Sequence, residues 1–80
     1  MHAFILARGR PSVPCVVRDI SAGGALLETA HPGWLPSRFR VMMEAPRFEA
    51  DCEVVHRSAE AVGVRFTSPV AIEALGLAVE

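Results

Sequence analysis

Apolar and polar residues alternate along the middle of this chain with a period of two. The alternation covers residues 38–45, 50–57 and 62–66, and it is typical of β-strands that bury one face. Two short strands, residues 13–20 and 25–28, precede these segments, and residues 3–7 form a first strand. The positions expected to face inward are Phe39, Val41, Met43, Ala45, Ala50, Cys52, Val54, His56, Val62, Val64 and Phe66.

Turn signals separate these short segments at close intervals. They include Gly9 with Pro11, the stretch from Ser21 to Gly24, and His31-Pro32-Gly33. Pro46-Arg47 and Ala59-Glu60 are the predicted hairpin turns between the last strands. Short strands with frequent turns predict an all-β sheet that closes on itself.

The end of the chain differs from the rest. Ser68-Pro69 is a helix-start signal, and Ile72, Leu75 and Val79 follow at helical spacing. We therefore expect a short C-terminal helix over about 69–79, which docks on the sheet, closes one mouth of a barrel or pairs with a partner chain.

Composition narrows the function classes. Eighty residues, 51% of them hydrophobic, predict one domain over 1–80. A formal net charge of −1 argues against general DNA or RNA binding, although all eight basic residues are arginine, which suits a specific anion site. Because the apolar start of the chain is too short to span a bilayer, we expect no membrane insertion and a cytoplasmic location.

The sequence gives little support for catalysis or for a metal site. Cys15 and Cys52 lie far apart without a C-x-x-C pair, and we expect both to be small buried residues. Ser21 is not on a G-x-S-x-G elbow, and His56 is expected on an inner strand face. We predict no enzyme, no metal and no cofactor.

The segment Asp19-Ile20-Ser21-Ala22-Gly23-Gly24 is the most informative in the chain. Asp and Ser accept bonds from nearby backbone N–H groups, and glycines supply positive φ, so a tight structural turn explains it without a ligand. The same groups also offer oxygens and bare backbone to a polar ligand, so both interpretations stay open.

Arginines near this turn are candidates for a ligand site. Arg18 directly precedes Asp19, so the two are expected on opposite faces of a strand. Arg8 and Arg10 flank Gly9 at the end of the first strand, from which they either reach the region of Asp19 and Ser21 or are simply solvated. Trp34 is either a lid over the barrel edge or a stacking platform for a base.

These motifs resemble a known family. Asp19 to Gly24 is similar to the D/N-x-S-x-x-G signature of PilZ domains, and Ala25-Leu26-Leu27-Glu28 continues like their next strand. Val62-Gly63-Val64-Arg65-Phe66 resembles their last barrel strand. Cys15-Val16-Val17-Arg18 and Trp34-Leu35-Pro36 are also similar.

The resemblance implies a six-stranded antiparallel β-barrel, about residues 3–67, followed by the C-terminal helix. It also implies a bacterial receptor for cyclic di-GMP, with Asp19, Ser21 and Gly23 or Gly24 holding guanine and backbone groups. The family's R-x-x-x-R motif, which clamps phosphates and stacks on guanine, is not matched: no two arginines stand four residues apart before the turn. Two expectations follow: weak or rearranged nucleotide binding that draws on Arg8, Arg10 or Arg18, or a degenerate domain that binds a protein partner instead.

Overall fold

Six antiparallel strands close into one barrel in the computed structural model, which describes residues 1–44 and 47–68. Around the barrel the strands run in the order β1-β2-β3-β6-β5-β4, and β4 pairs back with β1. The strands are β1 (His2–Leu6), β2 (Val13–Ile20), β3 (Gly24–Glu28), β4 (Arg38–Glu44), β5 (Arg47–Arg57) and β6 (Ala61–Phe66). The all-β class and the six-stranded closed barrel are confirmed; the predicted C-terminal helix lies outside the described residues.

Alternating side chains fill the barrel, because successive residues of a strand point to opposite faces. Most of the positions of β4, β5 and β6 that the alternation predicts to face inward are buried, Val54 and Phe66 are half-buried, and Ile5 and Leu27 are almost completely enclosed. The predicted inward residue Ala45 and Pro46 of the predicted hairpin turn lie outside the described residues, and Arg47 belongs to β5. Leu35, from the connection before β4, joins the same core. The buried set is Ala3, Ile5, Cys15, Val17, Leu27, Leu35, Phe39, Val41, Met43, Phe48, Ala50, Cys52, Val62 and Val64.

The strand order gives the barrel two distinct ends. The end we call the turn end holds the β2–β3 turn, residues 21–23, together with the start of β1 and the finish of β6. The opposite end, the loop end, holds the β1–β2 loop (residues 7–12), the β3–β4 connection (residues 29–37) and the β5–β6 turn (residues 58–60). A single 3₁₀ turn, Pro32–Trp34, lies within the β3–β4 connection.

Two β-bulges change the face on which side chains lie. The β2–β3 register shifts between Val17 and Asp19, so Arg18 is an extra residue, and both Arg18 and Asp19 are exposed. The expectation that they occupy opposite faces is therefore wrong. A second shift, between Val54 and His56, leaves Val55 as the extra residue and turns His56 outward. The prediction of an inner histidine fails for the same reason.

Both cysteines are buried and free, as small apolar residues would be. Cys15 lies on β2 and Cys52 on β5, which are not neighbours in the barrel. Burial raises the pKa of the Cys15 thiol from an ordinary value of 9.0 to about 11. It raises the pKa of the Cys52 thiol to about 12, so both side chains are neutral near pH 7.

Candidate functional site

The β2–β3 turn is held by backbone hydrogen bonds at both of its sides. The N–H of Ser21 donates to the carbonyl oxygen of Gly24 at 2.8 Å, and the Ser21 hydroxyl donates to the same oxygen at 3.4 Å. The N–H of Phe66 donates to the carbonyl of Gly23 at 2.9 Å, which ties the turn to the finish of β6. The turn therefore sits in a fixed position against the last strand.

The conformational reason predicted for the two glycines of the turn is wrong, and only Gly24 is required by its surroundings. Neither has positive φ, which among the described residues occurs only at Gly9. At Gly24 an added Cβ would overlap the carbonyl oxygen of Val64 on the neighbouring strand β6. At Gly23 an added Cβ would meet nothing within 4 Å. Gly24 thus allows β3 and β6 to approach closely, whereas Gly23 leaves open space beside the turn.

A shallow depression of about 260 Å³ opens on the outer side of this turn. It is lined by Asp19, Ser21 and Gly24 with the neighbouring apolar residues Ile20, Ala25 and Leu26. Among residues 1–44 and 47–68, no group hydrogen-bonds the exposed carboxylate of Asp19. A carboxylate, a hydroxyl and a patch of bare backbone therefore converge here, and they can accept N–H donors and contact the flat face of a ring.

Two arginines adjoin residues that line the depression, although neither lines it, and each is paired with a carboxylate. Arg18 lies 3.2 Å from Glu28 across the β2–β3 pair. Arg65 stands opposite Gly24 in the β3–β6 register and bonds Glu53 on β5. That hydrogen bond to Arg65, with a smaller contribution from Arg38, holds the pKa of the Glu53 carboxyl below its ordinary value. Both arginines are exposed, and ion pairs at the surface contribute little stability, so either arginine is able to bind another anion instead.

The other two predicted arginines lie at the opposite end of the barrel. Arg8 and Arg10 belong to the β1–β2 loop rather than to the first strand, which ends at Leu6. Residues 13–18 of β2 lie between this loop and Asp19, which places the loop roughly 20 Å from Asp19 along the strand. The expectation that Arg8 and Arg10 reach the turn is wrong, because Gly9 and Pro11 turn the chain back at the loop end.

Sequence reasoning missed Arg65 as a neighbour of the turn. The outward alternation of β6 places its side chain on the surface, but only the pairing of β6 with β3 brings it beside Gly24. The structure thus groups Asp19, Ser21, Gly23, Gly24 and Arg18 with Arg65, and it separates Arg8 and Arg10 from them.

Comparison with protein families decides what kind of barrel this is. A model of the PilZ domain matches residues 2–77, nearly the whole chain. The chain belongs to the PilZ domain family. PilZ domains form a family of cyclic di-GMP-binding modules that are generally non-enzymatic. Searches of curated proteins and of solved structures returned no match.

Two further observations concern the described part of this PilZ domain. No helix there is long and apolar enough to cross a membrane. Within the same residues, no group of three or more His, Cys, Asp or Glu side chains is placed to hold a metal ion.

Proposed function

We propose that this PilZ domain is a signalling module that binds cyclic di-GMP weakly, in a rearranged mode, at the β2–β3 turn. Asp19 and Ser21 accept hydrogen bonds from the guanine edge, and Gly23 and Gly24 leave the backbone open to the ring. Arg18 and Arg65 meet the phosphates. The observation that carries the proposal is the convergence of Asp19, Ser21 and Gly24 on one open depression.

The expected weakness has a physical cause. Cyclic di-GMP carries two phosphates and two guanines, and R-x-x-x-R arginines would supply both charge-assisted bonds and stacking. Arg18 and Arg65 must first leave Glu28 and Glu53 to reach a phosphate. Loss of two strong contacts costs roughly 3–6 kcal/mol, or two to four decades of affinity.

Calorimetric titration with cyclic di-GMP at low and moderate salt tests this function. We expect saturable binding by the wild-type domain, weakened at the higher salt, and its loss in Asp19→Ala. Glu60→Ala is the matched control, because Glu60 is an exposed acid in the β5–β6 turn at the loop end. Absence of heat at high ligand concentration, or equal effects of the two substitutions, would contradict the proposal.

An alternative function is a protein-interaction module in which the nucleotide site has been lost. An exposed apolar surface beside the turn favours it. Leu26 is 41% exposed and Val55 is 63% exposed. Leu26 pairs with Gly63 of β6, and the Val55 side chain lies on the other side of that glycine. Leu26 also stands opposite Asp19, so this surface adjoins the depression. Met42, which alternates with the buried residues of β4, is half-buried and adds little to such a surface.

Titration separates the two functions. Micromolar or tighter cyclic di-GMP binding that depends on Asp19 excludes the degenerate module. If no nucleotide binds, Leu26→Ser and Val55→Ser become the variants of choice for measuring the binding of a partner protein, because both side chains are exposed and their replacement leaves the core intact.

A further inference from the structure

A second concave site lies at the loop end of the barrel, away from the PilZ turn. It is a groove of about 410 Å³ between the β1–β2 loop and the β3–β4 connection. Ile5, Val13, Leu35 and Pro36 are among the residues that form its largely apolar wall. Its volume falls within the range of pockets that hold small molecules, about 300–1,000 Å³. The groove contacts β2 only at its first residues, Val13 and Pro14, whereas Asp19 lies near the other end of that strand.

Aromatic side chains form one rim of this groove. The rings of His31 and Trp34 stack with their centroids 4.4 Å apart and their planes 17° from parallel. Trp34 remains 69% exposed, although tryptophan has a large apolar surface that is costly to leave in water. Two arginines donate hydrogen bonds to backbone carbonyls of the 3₁₀ turn. Arg10 donates to the Trp34 carbonyl at 2.5 Å, and Arg57 donates to the Pro32 carbonyl at 2.6 Å. An exposed ring on a fixed support is suited to contact with an apolar ligand.

The charge of the groove specifies the polar part of its ligand. No Asp or Glu belongs to its described lining, whereas Arg10 does, and its guanidinium is permanently charged. Among residues 1–44 and 47–68 the Arg10 guanidinium donates only to the Trp34 carbonyl, through one nitrogen, which leaves its other two nitrogens for a planar anion. Guanidinium forms paired hydrogen bonds with carboxylate oxygens. The groove therefore combines an apolar wall with one cation, and a complementary ligand has an apolar body and one negatively charged group.

We propose that this groove binds a small amphipathic monocarboxylate, with its apolar part against the wall and the Trp34 ring and its carboxylate on Arg10. The proposal is independent of nucleotide binding, because it uses the opposite end of the barrel. It gives this domain a second ligand site, one wall of which is formed by the β3–β4 connection.

Trp34 makes the test direct. It is the only tryptophan in a chain without tyrosine, so the intrinsic emission reports on the groove alone. The full chain is titrated at pH 7 with octanoate below its micelle threshold, and with 1-octanol and octylammonium, which share its apolar body. We expect octanoate to shift and saturate the Trp34 emission, and the neutral and cationic probes to bind at least about tenfold more weakly.

Substitutions of Arg10 test whether octanoate binding requires its positive charge. Arg10→Gln is expected to weaken octanoate binding by about tenfold, and Arg10→Lys to keep most of it, because the cation remains. Arg8→Gln is the matched control, since Arg8 is an exposed arginine of the same loop that does not line the groove. Circular dichroism verifies that each variant is folded. Equal binding of the three probes, an unchanged Trp34 emission, or equal losses in the Arg8 and Arg10 variants would overturn the proposal.

Discussion

Gly24 and Gly23 are adjacent in the chain, yet they meet different surroundings. A methyl group at Gly24 would overlap the Val64 carbonyl, and that oxygen belongs to backbone that is fixed by the β3–β6 ladder. We predict that Gly24→Ala lowers the free energy of unfolding by about 2–3 kcal/mol. Gly23→Ala, with open space around the new Cβ, is expected to change it by less than about 1 kcal/mol. Urea unfolding followed by circular dichroism compares the two, and equal effects would contradict this steric account.

Gly23 and Gly24 also show how much of the turn can be predicted from the sequence alone. Asp19, Ser21 and the glycines are recognisable as a turn because their side-chain and backbone preferences are local. The reason for Gly24 is not local, since it depends on which strand lies beside β3. Positive φ does not explain either glycine, although the turn lies where the sequence predicts it.

At the scale of elements, the alternation of apolar and polar residues predicts where the strands lie, but it predicts the wrong face for residues at the two bulges. The inward apolar positions of β4 and the first half of β5 are buried as predicted. Beyond Val54 the extra residue in β5 shifts the phase, so His56 turns outward, and Arg18 has the same effect in β2. A bulge is a mismatch between two strands, so the pattern within either strand does not disclose it.

The 3₁₀ turn in the β3–β4 connection depends on a contact from another element. Arg57, at the finish of β5, donates to the Pro32 carbonyl at 2.6 Å. We predict that Arg57→Ala lowers the free energy of unfolding by about 1–2 kcal/mol and increases the quenching of Trp34 by acrylamide. Arg38→Ala is the control, because the Arg38 side chain is 80% exposed and its pair with Glu53 is long, at 3.6 Å. Matching effects of the two substitutions would show that the Pro32 contact contributes little.

At the scale of the whole molecule, strand order decides which residues share a site. It brings Arg65 to the turn and leaves Arg8 and Arg10 at the loop end, where Arg10 lines the groove with Trp34. Neither grouping follows from spacing along the chain, because both depend on pairing between distant segments. The resemblance to PilZ domains is enough to predict the barrel. Which arginines lie at the turn and which at the loop end is visible only in the structure.

The composition of the chain gives its stability an unusual dependence on alkaline pH. It contains neither lysine nor tyrosine, and arginine stays charged, so the two buried thiols are the side chains that titrate between about pH 8 and 12. Their folded-state pKa values, about 11 and about 12, lie above the ordinary value of 9.0. In that interval the unfolded chain therefore releases protons that the folded barrel retains. Stability contributed by the neutral thiols is complete below pH 9 and is lost as the pH rises toward the folded values.

We predict that the free energy of unfolding falls by about 1 kcal/mol per thiol between pH 9 and 10. The double variant Cys15→Ala/Cys52→Ala is expected to be less stable at pH 7, because it removes two buried sulfurs, but its stability should be nearly flat over this interval. Urea unfolding at pH 7, 9 and 10 under reducing conditions measures both proteins. Parallel losses in the two would show that the alkaline sensitivity arises elsewhere, and a flat wild-type profile would mean that the barrel admits the thiolates without cost.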